Sequence, residues 1–299
     1  MVTILRGLLI AFGALFGGAY VKDYAKSRKQ NKLGEENIFK AIGIGLGTDF
    51  FDTLGIGAFA PTIACLKVFK QNVDDRLIPG TLNVAHTIPV IIEALIFTTV
   101  IKVDPVTLLS LLGAAVLGSY IGAGIISKMD ERKIQLVMGI ALAITAVLML
   151  LSHPSINLMP GGGEETGLTG IKLIAGIIGN FILGALMTAG IGLYAPCMAM
   201  VYFLGMSSKV AFPIMMGSCA LLMPVASIKF IKEEAYSRKT AMGITIGGSI
   251  GVFIAAFLVG NMPMNLLKYL VILVIAYTSI QMLKSALKSK EEVNEKLSA

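Results

Sequence analysis

Asp49, Asp52, Asn83, His86 and Glu93 stand inside runs of otherwise apolar residues, and their spacing groups them. Asp49 and Asp52, in GTDFFDTLGIG, lie three apart and share one helical face. Asn83, His86, Val90 and Glu93 recur at i, i+3, i+7 and i+10, again one face. Carboxylates and an imidazole held away from water suit a proton relay. They suit equally a sodium site completed by backbone carbonyls. The blander alternative leaves Asp49 at an aqueous mouth, solvated or paired with Lys40, Lys67 or Arg76, and His86 as a hydrogen-bonded packing residue.

A second kind of chemistry is written twice. TLGIGAFAP at Thr53–Pro61 returns as TAGIGLYAP at Thr188–Pro196, an offset of 135 residues (188 less 53). Glycine permits tight backbone reversal, and Pro61 and Pro196 suit the first turn of a following helix, where a missing N–H is tolerated. Such a turn aims free N–H groups and the positive end of a helix at one spot, which is how backbone alone binds an anion. The residues expected to line it are Thr53, Gly55, Ile56, Gly57, Ala58 and Pro61. In the second copy they are Thr188, Gly190, Ile191, Gly192, Tyr194, Pro196 and Cys197. Asn83 and Ser218, equivalent at the same offset, follow on the next helix of each half.

The surroundings of these residues follow from composition. Hydrophobic residues are 56% of the 299-residue chain and charged residues 14%, against about 25% charge in soluble domains. Apolar runs such as Val106–Ser127, Ile134–Leu151 and Leu266–Leu283 are long enough to cross a bilayer as helices. The period-two alternation of a membrane barrel is missing. The chain is therefore expected to be an all-α polytopic protein of the cell membrane, with the lipid bilayer as its solvent. Its net charge of +7 sits in short loops and reads as positive-inside bias rather than nucleic-acid binding. Cys65, Cys197 and Cys219 are an odd number within or beside apolar segments, so they read as packing residues rather than a disulfide framework.

Charge placement sets the topology. Basic residues cluster at Lys22–Lys40, Lys128–Lys133, Lys229–Lys239 and from Lys284 onward, all expected inside. His153–Gly170, glycine-rich and without Lys or Arg, and Asn261–Asn265 are expected outside. Counting crossings back from a cytoplasmic C-terminus makes Ile38–Phe69 and Gly170–Gly205 each begin and end on one side, as a V. Each half is then a V-shaped broken helix pair plus three transmembrane helices, and the two halves form inverted-topology repeats. The expected division is 1–37, an extra N-terminal helix (Thr3–Val21, its start extracytoplasmic) and basic loop, and 38–152, the first repeat. A flexible linker covers 153–170, the second repeat 171–283 and a charged cytoplasmic tail 284–299.

With GIGAFAP followed by Gly80-Thr81, GIGLYAP followed by Gly217-Ser218, and the small-residue stretch GSYIGAGI at Gly118–Ile125, nearly the whole chain resembles the TauE/SafE-like sulfite and organosulfonate exporter family. The resemblance implies a permease that moves small sulfur-containing or carboxylate anions, usually outward. Three consecutive glycines are common at that family's turn. Here Ala58-Phe59 and Leu193-Tyr194 follow instead, which leaves the size of the substrate open.

The residues thus point to a secondary transporter of a small organic or sulfur-containing anion, coupled to protons or sodium at Asp49, Asp52, His86 and Glu93. A cation transporter using those carboxylates as its substrate site is the second reading, and a non-transporting scaffold subunit the third. HExxH, CxxC and P-loop motifs are missing, so no enzyme is expected. No cofactor is expected either, nor a metal site, since His86 and His153 are the only histidines. Homo-oligomerisation stays open.

Overall fold

A computed structural model describes residues 2–126, 131–151, 153–156, 163–187 and 193–298. Among them are eleven α-helices and two 3₁₀ turns. In chain order the helices are α1 (Val2–Lys29), α2 (Ile38–Thr53), α3 (Phe59–Val68), α4 (Ile78–Val100), α5 (Pro105–Ile126), α6 (Glu131–Leu151), α7 (Gly170–Met187), α8 (Tyr194–Phe203), α9 (Ala211–Lys232), α10 (Arg238–Gly260) and α11 (Met264–Ser298). Six described helices are long and apolar enough to cross a membrane. Large side chains such as Phe257, Tyr120 and Ile171 stand fully outward, as a lipid-facing surface allows.

The helices assemble into two compact units, residues 1–101 with 219–261, and residues 102–218 with 262–299. Each unit therefore draws on both halves of the sequence.

In the first unit α10 lies along α2, and glycine makes the fit possible. A Cβ on Gly45 would strike the Ile244 carbonyl, one on Gly247 the Ile42 carbonyl, and one on Gly251 the Leu46 carbonyl. Small residues every fourth position let two membrane helices touch backbone to backbone. α10 also packs on α4, where Thr245 Oγ1 donates to the Ala85 carbonyl at 2.8 Å. Phe16 and Tyr20 of α1, Val84 and Ala85 of α4, and Tyr236 close a core around this contact. Below it Asp23 accepts from Tyr236 Oη at 2.6 Å and Arg238 Nε at 2.8 Å. Burial and the Asp23 carboxylate push the Tyr236 phenol far above its ordinary pKa.

The second unit repeats the pattern with other helices. α5 lies along α7, where a Cβ on Gly118 would strike the Phe181 carbonyl and one on Gly184 the Ala115 carbonyl. α6 runs along α11, and Ser279 Oγ donates to the Gly139 carbonyl at 2.7 Å.

Two expectations change. The first helix continues through Lys22, Lys26, Arg28 and Lys29 to its end, because straight-chain basic residues are good helix formers. The described part of the linker is held rather than loose. Thr166 accepts from Asp104 N, Glu165 from Ser207 N, and Leu168 N donates to Thr107 Oγ1. His153 stacks on Tyr269 with ring centroids 3.7 Å apart.

Candidate functional site

The repeated phrase is described in its first copy. α2 ends where Gly55 N donates to the Asp52 carbonyl and Ile56 N to the Phe51 carbonyl. With Gly55 at φ 98°, this is the paired closure that terminates helices at a left-handed residue. Gly57 turns the chain again at φ 89°. Helix α3 then starts, its first internal bond running from Thr62 N to the Ala58 carbonyl. No side chain caps this start, so the N–H groups of Phe59 and Ala60 have no acceptor within the helix. Pro61, the third residue, has no N–H to leave over. Gly55 and Ala58 are buried, while Ile56, Gly57 and Pro61 are partly exposed.

Against this turn lies the polar cluster. Asp49, Thr53, Thr62, His86 and Glu93 are all 0% exposed and Asp52 4%. His86 Nδ1 sits 2.8 Å from Asp49 Oδ1, and His86 Nε2 lies 3.1 Å from Thr62 Oγ1. A carboxylate accepts and an imidazole nitrogen beside it donates. That orientation leaves Nε2 to accept the Thr62 hydroxyl hydrogen. Thr53 Oγ1 lies 2.7 Å from Glu93 Oε1 and 2.8 Å from the Asp49 carbonyl. The sequence spacing thus brought Asp49, His86, Glu93 and Thr53 together, on α2 and α4. Asp49 faces His86 and not Lys40, whose Nζ donates to the Phe69 carbonyl. The second Asp49 oxygen, Oδ2, is buried without a hydrogen-bond partner. It rests against Gly248 of α10, where a Cβ would overlap it.

Asn83 does not join the cluster. Its Nδ2 donates to the Pro79 carbonyl of its own helix at 2.9 Å. The residue that sequence reasoning missed is Thr62. Its one signal was that it follows Pro61 where Cys197 follows Pro196, so the two copies differ there in polarity.

In the second unit Thr188, Gly190, Ile191 and Gly192 lie outside the described residues. Beyond them α8 begins at Tyr194, uncapped by any side chain, with Cys197 N donating to the Leu193 carbonyl at 3.0 Å. Tyr194, Pro196 and Cys197 are buried. Ser218 donates to the Ile214 carbonyl and accepts from Asn180 Nδ2 at 3.1 Å. At the positions equivalent to Asp49, His86 and Glu93 this half carries Gly184, Leu221 and Ile228. Among the described residues no group of three or more His, Cys, Asp or Glu could hold a metal ion.

Searches of curated proteins and of solved structures found no match. Comparison with protein families matches residues 2–149 and 172–298, in register with the two halves that carry the repeated phrase. With apolar membrane-length helices and a broken helix built on GIG, the chain is a multi-pass membrane protein and belongs to the sulfite exporter TauE/SafE family.

Proposed function

We propose that this chain is a secondary transporter that exports a small organic or sulfur-containing anion, such as sulfite, a sulfonate or a carboxylate, coupled to the movement of protons or sodium ions. The observation that carries the reading is the start of α3. Two left-handed glycines aim an uncapped helix N-terminus into a turn lined by Thr53, Gly55, Ile56, Gly57 and Ala58. An anion there takes up orphan N–H groups and meets the positive end of the helix dipole. In this reading Thr188, Gly190, Ile191, Gly192, Tyr194, Pro196 and Cys197 form the matching cradle, and Asp49, Asp52, His86 and Glu93 carry coupling.

Matched contacts support the reading of two equivalent repeats, and the placement of basic loops supports their opposite orientation. Leu46 meets Gly251 in one unit, and Phe181 meets Gly118 in the other. Each partner is displaced by a nearly constant offset. The first helix of each half packs on the fourth helix of the other half, as a two-fold relation between halves requires. A short basic cytoplasmic side and an extracytoplasmic N-terminus complete the topology.

One observation favours a second reading, cation transport: three buried carboxylates lie in the first unit, one with an unpartnered oxygen. Purified protein in liposomes separates the two. Sulfite efflux, lost on Gly55→Val because a β-branched residue cannot adopt φ 98°, is the expected result. Sodium flux without sulfite flux overturns the anion reading.

A further inference from the structure

We propose that the coupling ion is a proton, and that Thr62 reports its arrival to the anion site by reversing the direction of one hydrogen bond. The inference rests on the anion-transport reading and adds to it the identity of the coupling ion and the residue that transmits it.

The chain of contacts is Asp49 Oδ1, His86 Nδ1, His86 Nε2 and Thr62 Oγ1, with separations of 2.8 Å and 3.1 Å. Its two ends differ in kind. Asp49 lies on α2 beneath the turn, with Oδ2 pressed against Gly248 and unpartnered. Thr62 lies on α3, and its backbone N–H makes that helix's first bond, to Ala58. Side chains on a helix lean toward its N-terminus, so the Thr62 hydroxyl leans toward the uncapped turn.

With His86 neutral, Nδ1–H donates to Asp49 and Nε2 accepts the only hydrogen of the Thr62 hydroxyl. Thr62 then presents lone pairs toward the turn, and the pair carries one negative charge. Both features repel an anion. One proton added at Nε2 makes an imidazolium beside a carboxylate, and the net charge of the pair rises from minus one to zero. Nε2–H now donates to Thr62 Oγ1. The displaced hydroxyl hydrogen is free to point at an acceptor over the first turn of α3. The same proton removes a repulsion and creates a donor. When the proton leaves from Nε2 the donor is withdrawn and the anion is released, so one proton moves with each anion.

The groups facing the pair come from every packed element. α2 adds Asp52, and α4 adds Glu93, seven residues beyond His86. α3 adds Thr62 and the Phe59 ring, 5.8 Å from the imidazole. α10 has no charged residue between Thr240 and Gly260, and α9 reaches α4 through Ser227, bonded to Thr87. α1 contributes Tyr20, in the core with Val84 and Ala85. No basic residue besides His86 lies among these neighbours. Asp49 offers a sodium ion little room, since Oδ1 already accepts from the imidazole and Oδ2 is pressed against Gly248 of α10.

The test uses full-length protein in liposomes loaded with a pH dye, with sulfite as the probe. The expected result is sulfite flux driven by a proton gradient with sodium absent, with dye acidification or alkalinisation stoichiometric with sulfite. Flux should change about tenfold per pH unit on the titrating limb, the slope of a one-proton linkage. Thr62→Val should reduce that to under about twofold, and Thr62→Ser should restore it. Sulfite's own titration is common to all three proteins and drops out of the ratio. Sulfite flux that needs sodium, or that moves no protons, overturns the proposal in wild-type protein alone. So does a Thr62→Val protein with the wild-type pH profile. Absence of sulfite flux under every gradient instead overturns the transport reading, and this inference with it.

Discussion

A methyl group placed on Gly57 would meet nothing within 4 Å, yet φ at that residue is 89°. Space is free there and conformation is not. Left-handed backbone costs a residue with a Cβ about 1–2 kcal/mol. Gly57→Ala is therefore expected to lower the unfolding temperature by a few degrees and to slow sulfite flux by distorting the turn. Thermal unfolding in detergent and liposome flux check the two effects separately. Unchanged values in both would mean that α3 does not depend on the turn. This constraint was legible in the sequence, because glycine beside glycine and proline has few other uses in a membrane helix. Asp49, His86 and Glu93 were legible as well, since charge is costly in an apolar run. Their pairing was not. Spacing shows which residues share a helical face, but not which face of another helix they meet. Thr62 escaped for a different reason. A hydroxyl in an apolar helix ordinarily bonds to its own backbone, as Thr48 and Thr98 do here.

At the scale of elements, glycine position decides how closely helices approach. Gly45 abuts the Ile244 backbone, whereas Gly43, on the exposed side of the same helix, meets nothing. Gly45→Ala should destabilise the protein by about 1–3 kcal/mol through overpacking. Gly43→Ala should be neutral or stabilising by up to about 1 kcal/mol, since alanine is the better helix former. Gly118→Ala, facing the Phe181 carbonyl, should match Gly45→Ala. Chemical unfolding of the three variants checks the ordering. A Gly43→Ala protein as damaged as Gly45→Ala would show that helix flexibility, not contact, is what glycine supplies. The break between α2 and α3 was readable from Gly55, Gly57 and Pro61. The extension of α1 to Lys29 was not, because basic residues mark a membrane boundary without ending a helix. The ordering of Gly163–Gly170 was hidden too. It rests on partners at positions 104, 107 and 207, far away in sequence.

At the scale of the molecule, both compact units take helices from both halves of the chain. Residues 1–101 wait for 219–261, and the glycine face of α2 is covered only by α10. The first half is therefore not an autonomous piece. Residues 1–156 and 163–299 made as separate polypeptides should each be degraded or inactive alone, and should recover sulfite flux when made together in one cell. Activity from either fragment alone would contradict the shared construction. The same feature sets a clock on biosynthesis. Translation runs at about 5–20 residues per second, so the nascent first half stands without α10 for roughly 10–30 s. Through that interval the face of Asp49 that Gly248 later covers is open to lipid, water or the insertion machinery. A newly made chain thus passes through a stage in which a carboxylate that ends up fully buried has not yet been enclosed.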